Sequence, residues 1–263
     1  MPAVQPKIQP DSVSDRSEKY QIRVHNLVKS FNGKTVLDKL CLDIERGKIN
    51  IIIGGSGHGK SVTMKHLMGL LKPDSGSIYI DGVDIVSLSE YELNKLRHNF
   101  GMVFQYAALF DSMTVFDNIA FPLREHTKMN KNEIRDEVKK SLESVSLPGI
   151  GHQFPSELSG GMKKRVGLAR AVVIKPEVIF YDEPTTGLDP IATKNVDELI
   201  ASINSRYGVT SVVISHDMAS TFRIAHRISM LYGGKIIASG DPDSFKKTKV
   251  PEALEFLKVS GVL

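Results

Sequence analysis

With 263 residues, 41 % of them hydrophobic and 24 % charged, the chain has the balance of an ordinary globular protein with a sizeable core. Collagenous, disulfide-scaffold and fully disordered classes are excluded. No apolar run approaches the ~18 residues a membrane span needs, so any traffic across a bilayer requires another chain. A net charge of +4 is a mixed surface and only weak evidence for a polyanionic partner. Cys41, the only cysteine, can make no internal disulfide and joins no metal-binding cluster.

Residues 1–19 are polar and carry no apolar signal core, so they read as a disordered lead. Without a signal or a span, the protein is expected in the cytosol unless a partner recruits it. Ile22, Val24 and Leu27 suggest a strand that turns at Asn32-Gly33. Leu40, Leu42 and Ile44 alternate as a second strand, in which Cys41 reads as a small buried hydrophobe. Glu45-Arg46-Gly47 turns the chain into Ile49 to Ile53, an apolar run of the buried, parallel kind. A glycine-rich stretch follows, then a helix from Lys60 to Leu71 and a turn at Pro73 to Gly76. Ile78 and Ile80 alternate up to Asp81-Gly82.

The middle is mainly helical. Ile134, Val138, Leu142 and Val145 recur at helical spacing behind Asn130, a fitting N-cap. A further helix runs from Gly160 to Ile174, ending before Pro176. Strand and helix then alternate: strand Val178 to Asp182, helix Pro190 to Tyr207, strand Ser211 to Ser215, a short helix. A hairpin of Ile228 to Tyr232 and Lys235 to Ala238 comes next. The tail over 241–263 holds a short helix near Glu252 to Lys258. Such alternation predicts an α/β fold, a largely parallel sheet flanked by helices.

Gly54-Gly55-Ser56-Gly57-His58-Gly59-Lys60-Ser61 matches G-x-x-x-x-G-K-[ST] between a buried strand and a helix. The glycines let the backbone wrap and turn its N–H groups inward. Those donors and the helix N-terminus, where Val62 follows, bind phosphate oxygens. Lys60 is placed for the β- and γ-phosphates and Ser61 for Mg²⁺. His58 occupies a variable position, and its side chain is assigned no chemistry. The loop alone says only that a nucleotide binds.

The apolar strand ending in Asp182-Glu183 brings two carboxylates to the end of a parallel strand, where ligands sit. Asp182 suits Mg²⁺, and Glu183 suits a water facing the γ-phosphate. Ser159, Gly160 and Gly161 open a helix and form a second anion-binding end, although a glycine-rich cap alone would explain them.

Together these residues resemble the ATP-binding cassette family, over about Tyr20 to Gly240. Leu158-Ser159-Gly160-Gly161-Met162 is similar to that family's signature, with Met162 where glutamine is usual. Gln105 resembles the Q-loop glutamine, Gly187-Leu188-Asp189 the D-loop, His216 the switch histidine, and Phe31 the aromatic that stacks on adenine. Gly55 stands where the family usually has Pro or a small residue, a change read here as harmless added backbone freedom. The resemblance implies a P-loop NTPase fold: a RecA-like parallel-sheet core, an N-terminal antiparallel β subdomain and a helical subdomain over about 106–174. It implies that two copies pack head to tail, each ATP lying between one chain's phosphate loop and the other's signature. Glu183 would be the general base, His216 would contact the γ-phosphate, Gln105 would lie near Mg²⁺ and water, and Asp189 would couple the two sites.

From Gln105 to Thr127 the chain is apolar and aromatic, with Phe116 and Phe121 as candidates for subdomain core. With the Leu-Ser-Gly-Gly-Met signature, this stretch closely resembles the ATPases of Mla-type phospholipid transporters. That implies an MlaE-type permease and an MCE-domain lipid-binding protein as partners, at the cytoplasmic face of the inner membrane. A cassette for another substrate is the alternative. A nucleic-acid-associated cassette is kept alive by the pI of 9.0. No nucleic acid is expected, because 99 residues from Lys60 to Ser159 leave no room for a long coiled coil and the chain has one cassette.

Overall fold

The computed structural model describes residues 19–263; the lead expected before them lies outside the described residues. Strand β3 (Ile49–Ile53) is buried at every position. Its side chains alternate between two cores: Ile49, Ile51 and Ile53 enter one, and Ile52 the other. A strand buried on both faces needs a layer on each side, and the remaining chain supplies both.

One layer is an antiparallel sheet of β1 (Tyr20–Phe31), β2 (Lys34–Glu45), β4 (Ser75–Ile80) and β5 (Val83–Asp84), in the order β2-β1-β4-β5. Its inner face, including Ile22, Leu27, Leu40 and Ile78, meets Ile52, Phe180 and Val212 of the central sheet. The central sheet runs β10-β9-β3-β8-β7-β6. Strands β6 (Phe100–Val103), β7 (Val178–Asp182), β8 (Thr210–Ile214) and β9 (Arg227–Tyr232) pair in parallel with their neighbours and β3. Only β10 (Lys235–Gly240), at the edge, is antiparallel.

Helix α1 (Lys60–Leu67) follows β3, and α2 (Glu90–Arg97) precedes β6. The helical part consists of α3 (Val115–His126), α4 (Lys131–Ser144), two 3-10 turns and α5 (Gly160–Val172). Asn130 caps α4, accepting the Glu133 N–H while its own N–H donates back to the Glu133 carboxylate, as its position suggested. Helices α6 (Pro190–Tyr207) and α7 (Met218–Ile224) flank the other core. The tail forms α8 (Pro242–Lys246) and α9 (Pro251–Val259), and Phe245, Ala253 and Leu257 sit in the main core.

Three local expectations are corrected. Helix α1 stops at Leu67 instead of Leu71, because Gly69 turns left-handed (φ 64°). The N–H of Gly69 bonds His66 O and that of Leu70 bonds Lys65 O, a Schellman closure. Cys41 is exposed, not buried. Its neighbours Leu40 and Leu42 take the inward positions of β2, and its Sγ accepts the Asn26 N–H at 3.3 Å. Phe116 does pack against the core, but Phe121 stays exposed, its ring 5.3 Å from that of Phe110.

Candidate active site

Strand register brings the expected groups to one edge. Ile52 pairs with Ile214, Asp182 with Ile214, and Val103 with Tyr181. The phosphate loop after β3, Asp182-Glu183 after β7, His216 after β8 and Gln105 after β6 therefore leave the same C-terminal edge of the sheet.

The loop itself is held in a shape that only glycine accepts at key points. Gly54 has φ 150°, and a Cβ there would lie 2.3 Å from Leu231 O. Gly59 (φ 102°) opens α1 with no side-chain cap. The first N–H groups of the helix, those of Ser61 and Val62 among them, are thus not taken by a capping side chain. Lys60 is buried and donates to Gly54 O at 2.7 Å and Gly55 O at 2.9 Å. Burial pushes its pKa down, partly offset by the charges of Glu183 and Asp182. A cation so desolvated gains most from an anion brought next to it.

Asp182 is half-buried, and its pKa is raised by burial and then by the carboxylate of Glu183. Glu183 sits on a left-handed backbone (φ 48°), its N–H donating to Ile214 O at 3.0 Å. Its Oε2 accepts from Thr186 Oγ1 at 3.0 Å, and its Oε1 lies 3.3 Å from His216 Nδ1. The neighbouring carboxylates of Asp182 and Glu183, within electrostatic reach of Lys60, are hard oxygen donors of the kind that suit a hard cation. No cluster of three His, Cys, Asp or Glu that could hold a metal ion occurs among the described residues. A cation here has to complete its shell with hydroxyl, amide, water or phosphate oxygens.

Ser159, Gly160, Gly161 and Asp189 line a separate cleft of about 250 Å³ with Gly187 and Arg165, and no phosphate-loop residue reaches it. Ser159 Oγ accepts from Met162 N–H at 3.3 Å. Asp189 Oδ1 accepts from Ile191 and Ala192 N–H at 2.9 and 2.8 Å, starting α6. Phe31 stands exposed at the β1–β2 hairpin, paired with Lys34. That hairpin's second strand reaches the phosphate loop: a Cβ on Gly59 would lie 2.9 Å from Leu37 Cδ2.

Several supporting residues escaped the sequence reading. Lys164 is buried and donates to Thr186 O at 3.0 Å and Glu183 O at 3.5 Å, tying α5 to the acidic turn. Arg170 donates to Ala107 O and Ala108 O, both at 2.8 Å, and fixes the segment after Gln105. Asp197, wholly buried, accepts from Ser220 Oγ at 2.5 Å and pairs with Arg223, joining α6 to α7. Charged helix residues of these types resemble solvated ones in a sequence; only an apolar neighbourhood on the same face hints otherwise. Gly55 also has a reason other than the one expected. Its φ is not left-handed, so its freedom goes unused; its missing side chain makes room for the His58 ring, 2.8 Å from where a Cβ would be.

Known proteins agree with this geometry. The ABC transporter family model matches residues 37–186. The chain is 41 % identical over 237 residues to the intermembrane phospholipid transport system ATP-binding protein MlaF of Haemophilus influenzae, covering 90 % of each. It is 43 % identical over 236 residues to the probable ribonucleotide transport ATP-binding protein mkl of Mycobacterium leprae, covering 90 % of this chain and 68 % of that one. It spans 66 % of the corresponding mkl protein of Mycobacterium tuberculosis. Among solved structures, an ATP-binding cassette dimer in a post-hydrolysis state with ADP and Pi superposes with a TM-score of 0.76. It is 30 % identical, with 84 % of this chain and 98 % of that one covered. The cbiO1 subunit of the cbiONQ transporter from Clostridium perfringens gives 0.82 at 29 % identity, with 92 % and 96 % covered. By motif order, fold and sequence, the chain belongs to the ABC transporter family and carries its ATPase cassette.

Proposed function

We propose that the chain is the ATP-hydrolysing motor of a phospholipid transporter and works as a head-to-tail dimer around two ATP. The observation that carries the dimer is the division of one chain's candidate phosphate-binding groups between two places: Lys60 near Glu183, and Ser159 with Asp189 in a separate cleft that no phosphate-loop residue lines. A second copy supplies to each ATP the half that its own chain holds elsewhere.

As ATP enters, Lys60 exchanges the two carbonyls of its own loop for β- and γ-phosphate oxygens, and the pairing offsets its desolvation. Ser61, Asp182 and Gln105 would hold Mg²⁺, which neutralises phosphate charge when bound. Glu183 takes the proton of a water whose oxygen attacks the γ-phosphorus, while the bridging bond breaks and its electrons leave with ADP. His216, whose Nδ1 lies 3.3 Å from Glu183 Oε1, would contact the γ-phosphate. The Ser159 hydroxyl and the N–H groups of Gly160 and Gly161 receive the phosphate of the partner's nucleotide.

Exposed aromatics flank Gln105: Phe104 before it, and Tyr106 (83 % exposed), Phe110 and Phe121 after it. They would form the dock for an MlaE-type permease, which with an MCE-domain protein would place the chain peripherally on the cytoplasmic face of the inner membrane. No helix among the described residues is long and apolar enough to cross a membrane. Phospholipid as cargo is supported by the 41 % identity to a phospholipid transport protein over 90 % of both chains. The mycobacterial relative's name favours a second reading, ribonucleotide cargo.

The two are separated by co-purifying the chain with its permease, reconstituting both in vesicles, and measuring ATP turnover. Stimulation by phospholipid and capture of an MCE protein are expected. Stimulation by ribonucleotides, or capture of an amino-acid permease, overturns the lipid reading.

A further inference from the structure

His58 occupies a position that the phosphate-loop pattern leaves open, yet its ring is bound on three sides. It stacks on Tyr232 with centroids 4.8 Å apart and planes 24° from parallel. Its Nδ1 accepts the Gly233 N–H at 3.1 Å. It fills the space beside Gly55, where a Cβ would lie 2.8 Å from Cδ2 and 3.0 Å from Nε2.

The β9–β10 turn that receives the ring is itself fastened. Asp38 N–H donates to Gly234 O at 3.1 Å, and Lys235 pairs with Asp38 at 2.8 Å. A Cβ on Gly234 would meet Val36 O at 2.7 Å. Asp38 and Val36 belong to β2, the strand that leaves the Phe31 hairpin and packs Leu37 against Gly59. The phosphate loop, the turn and the hairpin therefore form one closed circuit of contacts, and His58 is the link between the first two.

We infer that His58 is a positioning residue for the nucleotide. It straps the glycine-rich loop to the β9–β10 turn and so sets the loop's distance from the hairpin that carries Phe31. The inference rests on the nucleotide-binding reading above. A loop with three glycines between Gly54 and Lys60 has much backbone freedom to lose when it closes on phosphate. Ordering it beforehand lowers the cost of binding and does not touch the chemical step. The loss of His58 therefore falls on affinity.

The test uses the full chain and measures ADP binding by calorimetry, with KM and kcat for ATP. His58→Ala is expected to weaken ADP binding and raise KM by roughly tenfold, the scale of one hydrogen bond and one ring stack, with kcat held within about twofold. His58→Asn, whose Oδ1 can accept from Gly233, is expected to recover part of the loss, and it keeps the test open should the alanine variant unfold. Gly55→Ala is expected to weaken binding in the wild-type background, because its methyl meets the ring. The same substitution is expected to cost nothing further in the His58→Ala background. Unchanged ADP affinity in His58→Ala, or additive effects of the two alanines, overturns the inference. Failure of the wild type to bind ADP at all would instead defeat the nucleotide reading.

Discussion

Helices α1 and α5 both open on a phosphate-grade N-terminus, but they are finished differently. The first begins at Gly59, has no side-chain cap, and keeps Lys60 in the same loop. The second begins at Ser159, whose hydroxyl already accepts from its own helix. Uncapped donors beside a desolvated cation make affinity inside one chain. A self-capped helix end in a separate cleft adds little until a phosphate is brought to it. On the proposed reading, binding and assembly fall in different parts of the chain, and substitutions can pull them apart.

The largest effect is expected from Glu183→Gln, which should cut hydrolysis by about 10²- to 10⁴-fold while ATP binding persists and an ATP-bound dimer accumulates. Hydrolysis at the wild-type rate would remove Glu183 from the role of base. Next comes Lys60→Ala. Loss of its charge-assisted bonds should weaken nucleotide binding by about 10- to 100-fold in the isolated chain, and an unaltered Kd would break the comparison at its first end. Ser159→Ala tests the other end. The monomer's Kd for ADP should stay within about twofold, while hydrolysis falls roughly tenfold and the helix loses a cap worth about 1 kcal/mol. Equal damage to monomer binding would mean that the two clefts are one site.

The smallest effect concerns stability. Because the pKa of Asp182 is raised in the fold, the native state holds that proton more tightly than the unfolded chain. This stabilising share is complete below about pH 4 and is lost as pH rises through the folded value. Asp182→Asn should therefore raise the Tm of the nucleotide-free chain near neutral pH by about 2 °C, and the gain should fade in acid. A lower Tm at neutral pH would show that the ionised carboxylate stabilises the turn.

Most of the architecture was legible because strands such as Ile49–Ile53 and Val178–Asp182 declare themselves by composition, and their ends carry the motifs. Helix α3 was harder to see. Val115, Ile119 and Leu123 have helical spacing, but Pro122 interrupts the pattern, so the sequence shows an apolar and aromatic stretch without a helix boundary. Cys41 was misplaced because alternation leaves two choices of face, and its leucine neighbours had already taken the inner one. The candidate site residues rest on the phosphate-loop spacing, the acidic strand end and the family resemblance, none of which points to Lys164 or to the contacts of His58. Their roles depend on which distant backbone atoms, Thr186 O or Gly233 N–H, lie within reach after folding.

Glu183 has a conformation that L-residues enter at a cost of order 1–3 kcal/mol, and that glycine or asparagine tolerates better. Selection for heat resistance alone would thus drift this position toward Gly or Asn and discard the carboxylate proposed as the base. A screen that scores thermal survival and ATP hydrolysis together should therefore see the two objectives conflict at this position.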